Sequence, residues 1–300
     1  MKSLQIILLS FFLFSFFSCR EESKKNKNDL THYAFEDAPS EDVDAINQEI
    51  ISPDTVRTGI ITTAAKGSLW TAFTKTFKDC WQDETFKKNI IYLGPSNSKY
   101  LGTIVSKDKQ ITWKSLEKVL NGNYNEINKF CQQGNGAPNN CNKDELINNY
   151  FDILLDGNYS NIDANLKLAL EDRRQIKMIT GKWRVDEIIL GDFNSYMDKS
   201  TDPAVIDYKR YLTNKNNYII TKILVIENFS AEVESNRKMD AGLTAKLDTG
   251  INTEIKNQGN DSSDTQLNIN FKHTADNKIA VSATGKSYVI GMLQKVKNIK

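Results

Sequence analysis

The chain has 300 residues, with 39 Lys and Arg against 38 Asp and Glu. That balance leaves no electrostatic footprint for nucleic acid, and no basic block interleaved with aromatics is present. At 39% hydrophobic and 26% charged, the composition is that of a folded globular protein and excludes wholesale disorder.

Lys2 precedes an apolar run, Leu4–Phe17, which ends in Ser18-Cys19 and gives way to Arg20-Glu21-Glu22-Ser23-Lys24-Lys25. Charged, apolar and small-residue regions in that order read as an export signal. The run is shorter than the roughly 20 residues a helix needs to cross a bilayer, which favours a cleaved leader over a permanent span. Phe16-Phe17-Ser18-Cys19 resembles the lipobox of bacterial lipoproteins, where signal peptidase II cuts before a cysteine that then carries diacylglycerol and a further acyl chain such as palmitate. Ser18 fits the pattern and Phe17 departs from it. The resemblance implies a signal peptide over 1–18, lipidation of Cys19 and a membrane partner reached through that lipid. Arg20-Glu21-Glu22 resembles the surface-export tag of Bacteroidota lipoproteins, with Arg in place of the usual Lys. It implies an outer-membrane protein facing outward, the periplasm-facing arrangement being the alternative. Removing the leader and its Lys2 leaves 39 − 1 = 38 basic residues against 38 acidic ones.

Residues 19–48 are polar, with no sustained apolar period, and read as a lipidated flexible tether. As a coil of about 25 residues it would hold the body roughly 25–30 Å from the lipid. Folded structure is expected from near Ile50, with a strand over Val56–Thr63. Leu69, Trp70, Phe73, Phe77 and Trp81 recur at helical spacing and form one core stripe. Asn89–Leu93 is a short strand, and Tyr100–Val105 is expected to return as its hairpin partner.

From Thr112 to about Thr180 the pattern is helical. A helix is expected from Thr112 to Leu120, broken by Asn121-Gly122-Asn123. Asn142 with Glu145 opens another in capping-box fashion, with Leu146, Tyr150 and Leu154 on one face and Gly157 at its end. A third starts near Ser160, buries Ile162, Leu166, Ala169, Leu170 and Ile176, and stops at Gly181. Trp183–Leu190 and Tyr218–Ile226 then read as strands, the second so continuously apolar that both its faces must be buried. Between them a short helix is expected around Val205–Tyr211. Alternation over Leu243–Ile255, Leu267–Phe271 and Ile279–Ala283, followed by Tyr288–Val296, predicts an antiparallel sheet. The expected fold is therefore α+β, a helical middle packed with a C-terminal antiparallel sheet. Two subdomains are expected, over 49–180 and 181–300.

Cys131 and Cys141 flank a flexible loop rich in Gly and Asn, and in an oxidising compartment they are expected to form a disulfide. Cys80 is then left over as a buried thiol. Lys246-Leu247-Asp248-Thr249-Gly250 resembles the active-site triplet of aspartic proteases, but a second such carboxylate and a flap are also required. Only His32 and His273 could serve a histidine-dependent site; the first falls in the expected tether and the second at a strand end. Asn257–Asp264 offers oxygen ligands without the spacing of a calcium loop. Trp70, Trp81, Trp113 and Trp183 could stack on sugars, although core packing explains each of them.

The pattern therefore points to no catalytic, metal or cofactor site. The expected role is non-catalytic: a lipid-anchored envelope protein that binds an unidentified protein or glycan partner. One alternative is a pore former using an amphipathic hairpin over 243–272, since Ile219–Gly291 resembles the strand pattern of gasdermin-type domains. The other is a hydrolase of unknown type.

Overall fold

The computed structural model describes residues 32–51, 63–96, 100–107, 113–134, 143–156, 162–255 and 267–299. The front of the chain supplies β1 (His32–Asp37), α1 (Ser40–Ile51), α2 (Thr63–Cys80), α3 (Glu84–Lys88), β2 (Ile90–Ser96), β3 (Ile104–Ser106) and β4 (Trp113–Lys114). The middle supplies α4 (Leu116–Val119), α5 (Tyr124–Ile127), β5 (Cys131–Gln132), α6 (Lys143–Asp156), α7 (Ala164–Glu171) and β6 (Arg173–Ile188). The rest is α8 (Leu190–Lys199), α9 (Pro203–Leu212), β7 (Asn217–Ser235), α10 (Ala241–Thr249), β8 (Ile251–Ile255), β9 (Leu267–Ala275) and β10 (Lys278–Ile299). The α+β class is as expected, with every strand in one antiparallel sheet.

Two long strands organise that sheet. β7 and β10 pair from Lys278↔Glu234 to Gln294↔Ile219. At 19 and 22 residues they reach about 60–70 Å at the usual rise per residue. Shorter strands tile their outer edges. β6 and β3 lie end to end along β7. β9, β2 and β1 follow one another along β10. β8, β4 and β5 widen the sheet beyond β9, β3 and β6.

Helices cover both faces. On one side α2, α6, α7 and α10 bring Phe73, Phe77, Phe151, Leu166 and Leu247 onto Leu224, Ile226 and Phe229. On the other, α1, α4, α5, α8 and α9 bring Ile46, Leu116, Ile127, Phe193 and Tyr208 onto Ile223, Val225 and Tyr288. From Ile223 to Ile226 successive residues of β7 thus enter opposite cores, while Tyr218, Ile219 and Ile220 all join the second, and a strand buried on both faces is almost unbroken in its apolarity. Where the second helical layer stops, β7 returns to alternation: Phe229, Ala231 and Val233 are buried, while Ser230, Glu232 and Glu234 are more open. The α2 stripe is the expected one, with Trp81 stacked on Phe77 at 5.1 Å between ring centroids. Leu146, Tyr150 and Leu154 are buried on one face of α6, as their spacing predicts. The expected strands over Leu267–Phe271, Ile279–Ala283 and Tyr288–Val296 also form.

Several expectations are corrected. Residues 32–48 are not tether. β1 pairs with the end of β10, and Tyr33, Ala38, Val43 and Ile46 are buried. Polar composition hid an element that needs only one narrow apolar face. The division into 49–180 and 181–300 also fails, because β6 runs unbroken through Gly181 and both stretches feed the same sheet. Tyr100–Val105 is not a hairpin partner of β2; β3 pairs with β7 and β4, while β2 pairs with β10. The helix expected from Thr112 is shorter, starting after Ser115 with β4 ahead of it. A further helix, α8, occupies Leu190–Lys199, where none is expected. The strand expected over Leu243–Ile255 is helical as far as Thr249, so only the later part of the hairpin expected over 243–272 is formed, with Ile251–Ile255 paired antiparallel to Leu267–Phe271. The expected strand over Val56–Thr63 falls outside the described residues apart from its last residue, which opens α2.

No helix among the described residues is long and apolar enough to cross a membrane. One glycine is fixed by its surroundings. Gly102 has φ of 76°, and a Cβ there would lie 2.7–2.9 Å from Leu116 side-chain atoms. Its N–H donates to the Ile220 carbonyl at 2.9 Å, and its own carbonyl accepts from the Tyr208 hydroxyl at 2.6 Å. Gly102→Ala combines left-handed strain with crowding and is expected to cost about 1–3 kcal/mol, read as a lower urea midpoint at unchanged slope.

Candidate functional site

The deepest polar feature is an ionic cluster beneath the second helical layer. Arg184 and Asp186 lie two apart on β6 and so share a face, which here points into the core. Asp186 is 0% exposed. It accepts from Arg184 Nε at 2.8 Å, from Arg184 Nη2 at 3.3 Å and from the Tyr100 hydroxyl at 2.9 Å. Arg184 Nη1 donates to Glu227 at 2.5 Å. Burial alone would push the Glu227 carboxyl up, but the hydrogen bond and charge of Arg184 outweigh it and hold the group below the usual glutamate range. Burial, then the charge of Asp186, raises the Tyr100 phenol, which stays a donor. Its ring lies 5.0 Å from that of Tyr288. These groups satisfy one another in a closed network, and that arrangement is structural.

Cys131 lies at the edge of this cluster, on β5 opposite Ile188. It is a free thiol, whereas Cys80, the other described cysteine, is disulfide-bonded. The expected Cys131–Cys141 bridge is therefore corrected, as is the expectation that Cys80 is free. Nearness in sequence across a loop does not supply the Cα and Cβ geometry a disulfide needs. Cys19 and Cys141 lie outside the described residues. Burial first, then the neighbouring Asp186 charge, pushes the Cys131 thiol up to about 12. Alkylation of the folded protein at neutral pH is expected to leave Cys131 largely unmodified, with reactivity rising as pH climbs toward that value and the thiolate forms. Non-reducing peptide mapping should recover Cys80 in a disulfide; a bridge containing Cys131 would refute the assignment.

An open groove of about 830 Å³ lies between the α4–α5 wall and the α8–α9 wall. Asp192, Ser195, Tyr196 and Lys199 recur at helical spacing, so one face of α8 lines it. The opposite face of α8 buries Phe193 and Met197. Asn194 sits between, accepting from the Tyr33 N–H at 2.9 Å and donating to the Tyr33 carbonyl at 3.0 Å. It thereby closes the outer edge of β1 and locks α8 in rotation. Pro203 follows a capping Asp202, whose carboxylate accepts from the Ala204 N–H at 2.8 Å and ends the wall with a polar rim.

The facing wall begins at Asn121 and Gly122, both left-handed at φ 52° and 69°, which turn the chain between α4 and α5 and place Asn121 and Asn123 on the groove. This is the expected break after Leu120. Glu126 and Lys129 continue the wall, paired at 2.6 Å. Tyr196 is half-buried, its ring 5.0 Å from Phe130. Burial, then the charges of Glu126 and Asp202, raises its phenol, so the hydroxyl remains a donor between two carboxylates on opposite walls.

The residues singled out in the sequence do not converge on this groove. Asp248 stands at the end of α10 with an oxygen 3.0 Å from His273 Nδ1, in a helix end rather than in a protease loop. His32 is exposed on β1. Trp81 and Trp183 are buried, and Trp70 is half-buried 4.8 Å from the ring of Tyr92. The side chain of Trp113 and the loop Asn257–Asp264 lie outside the described residues. The signals that mark the groove were a helix-period set of polar residues in 192–199 and the Asp202-Pro203 cap. The buried cluster carried no such mark, because Arg184 and Asp186 are two of many charges along β6 and nothing local says which of them point inward. No family model matches the chain, and no curated protein is similar to it at a significant level.

Proposed function

We propose that the chain is a lipid-anchored protein of the bacterial cell envelope whose body is a non-catalytic binding module. The anchor half of the reading rests on the apolar leader, Ser18-Cys19 and the charged residues that follow. The binding half rests on one observation, the groove of about 830 Å³ with polar side chains on both walls. Its position suits an anchored protein. The α8 wall is tied by Asn194 to β1, the first described strand, so the groove is built at the same edge of the body from which the lipid attachment would lead. The partial surface tag at 20–22 supports an outward-facing protein of the outer membrane.

Protease shaving of intact cells tests the placement. Loss of the protein with a periplasmic control intact is the expected result. Full protection would move the module to the inner side of the outer membrane and make its partners envelope components.

A further inference from the structure

The groove has an apolar floor inside a polar rim. Val119, Leu120 and the ring of Tyr196 supply carbon surface, and Tyr196 is held in place by Phe130. The rim carries amides at Asn121 and Asn123, hydroxyls at Ser195, Ser200 and Thr201, and carboxylates at Glu126, Asp192 and Asp202. Its ammonium groups are Lys129 and Lys199, and Lys129 is already engaged by Glu126.

Neither sign of charge dominates such a rim. An anionic ligand would be placed against three carboxylates, and a cationic one beside two lysines. A neutral ligand avoids both penalties and can use every donor and acceptor present. Carboxylates and amides offer paired acceptors and donors to adjacent hydroxyls, as orienting polar groups in an otherwise carbon-lined site do. An aromatic ring with a polar tip suits a ligand with one carbon-rich face and a hydroxylated edge.

We infer that the groove between α4–α5 and α8–α9 binds a neutral, polyhydroxylated ring, a saccharide unit stacked on Tyr196 with its hydroxyls on Asp192, Asn121 and Asn123. The inference rests on the reading of the body as a binding module and names the class of ligand at that same groove.

Calorimetric titration of the detergent-solubilised full chain with neutral oligosaccharides (glucan, mannan, xylan and chitin fragments) tests it. At least one of these classes is expected to bind. Tyr196→Ala is expected to weaken it about tenfold, the size of losing one stacked ring, while Tyr196→Phe retains most of the affinity. Asp192→Ala is expected to weaken it too, and Ile179→Ser, at an exposed position outside the groove, to leave it unchanged. Each variant is compared at equal folded fraction by its thermal transition. No binding by any neutral class, binding restricted to charged saccharides, or binding indifferent to Tyr196→Ala would each overturn the inference. Fractionation of the Cys19→Ala chain reads the anchor separately. A failed anchor with sugar bound refutes only the location, and a sound anchor with no sugar bound refutes only the ligand class.

Discussion

Asp186→Ala is expected to destabilise the fold by about 3–5 kcal/mol, the range for breaking a buried ion pair from one side. Asp186 is fully buried and accepts three hydrogen bonds, two from Arg184 and one from Tyr100. Its loss leaves a guanidinium that is itself 7% exposed with Glu227 as its remaining hydrogen-bonded carboxylate in this network. It also leaves the Tyr100 hydroxyl without its acceptor. Arg184→Met should cost a similar amount, because it strands a carboxylate in the core. The double change Arg184→Met with Asp186→Leu removes both charges together and is expected to recover much of either single loss. Urea denaturation of the four proteins gives the coupling energy of the cycle. Additive costs would refute the pairing and make the cluster a set of independent contacts.

Cys19→Ala is expected to move the protein from the membrane fraction to the soluble fraction. The acyl chains proposed for Cys19 would each bury many methylenes at about 0.8 kcal/mol apiece, and two or more chains hold a protein stably. Nothing comparable replaces them in the described body, whose helices are all too short or too polar to span a bilayer. Retention of the variant on washed membranes would refute the lipid anchor. An anchor at Cys19 would give the body a short reach. Twelve residues, 20–31, separate Cys19 from the first residue of β1. They span at most about 40 Å when fully extended and roughly 20 Å as a coil. That is less than a tether running to residue 48 would give.

Much of the sheet was legible because its strands obey simple rules. β9 alternates because only one of its faces is buried, and the start of β7 is apolar throughout because both are. The segment from Leu243 misled because its odd positions look like strand alternation. Only Leu243 and Leu247 are large, and they stand four apart on one helix face. Asp240, whose carboxylate caps the Leu243 N–H at 2.7 Å, and Gly250, left-handed at φ 83°, mark the two ends of that helix. β1 and α1 were hidden for a different reason. Their polar residues are what an element on the outside of a finished sheet carries, and their worth depends on β10, far away in sequence. The groove is of the same kind: 192–199 shows its polar helix face locally, but the wall at Asn121–Lys129 meets it only through the fold. The disulfide was misplaced because loop length says which cysteines are close in sequence, and not which are close in space.

The pairing of β1 with the end of β10 constrains the order in which the chain can assemble. His32 lies against Ile299, 299 − 32 = 267 positions later. β1 comes first among the described elements, and its ladder partner comes last among them. Until residues 294–299 arrive, the buried side of Tyr33 and the seat of α8 beside it have no sheet edge to rest on. Contacts of such separation make folding slow, since loop closure precedes any gain from the contact. If exported, a chain of this topology would complete its fold only after residues 294–299 had crossed, and it would stay open to pairing with the wrong edge until then.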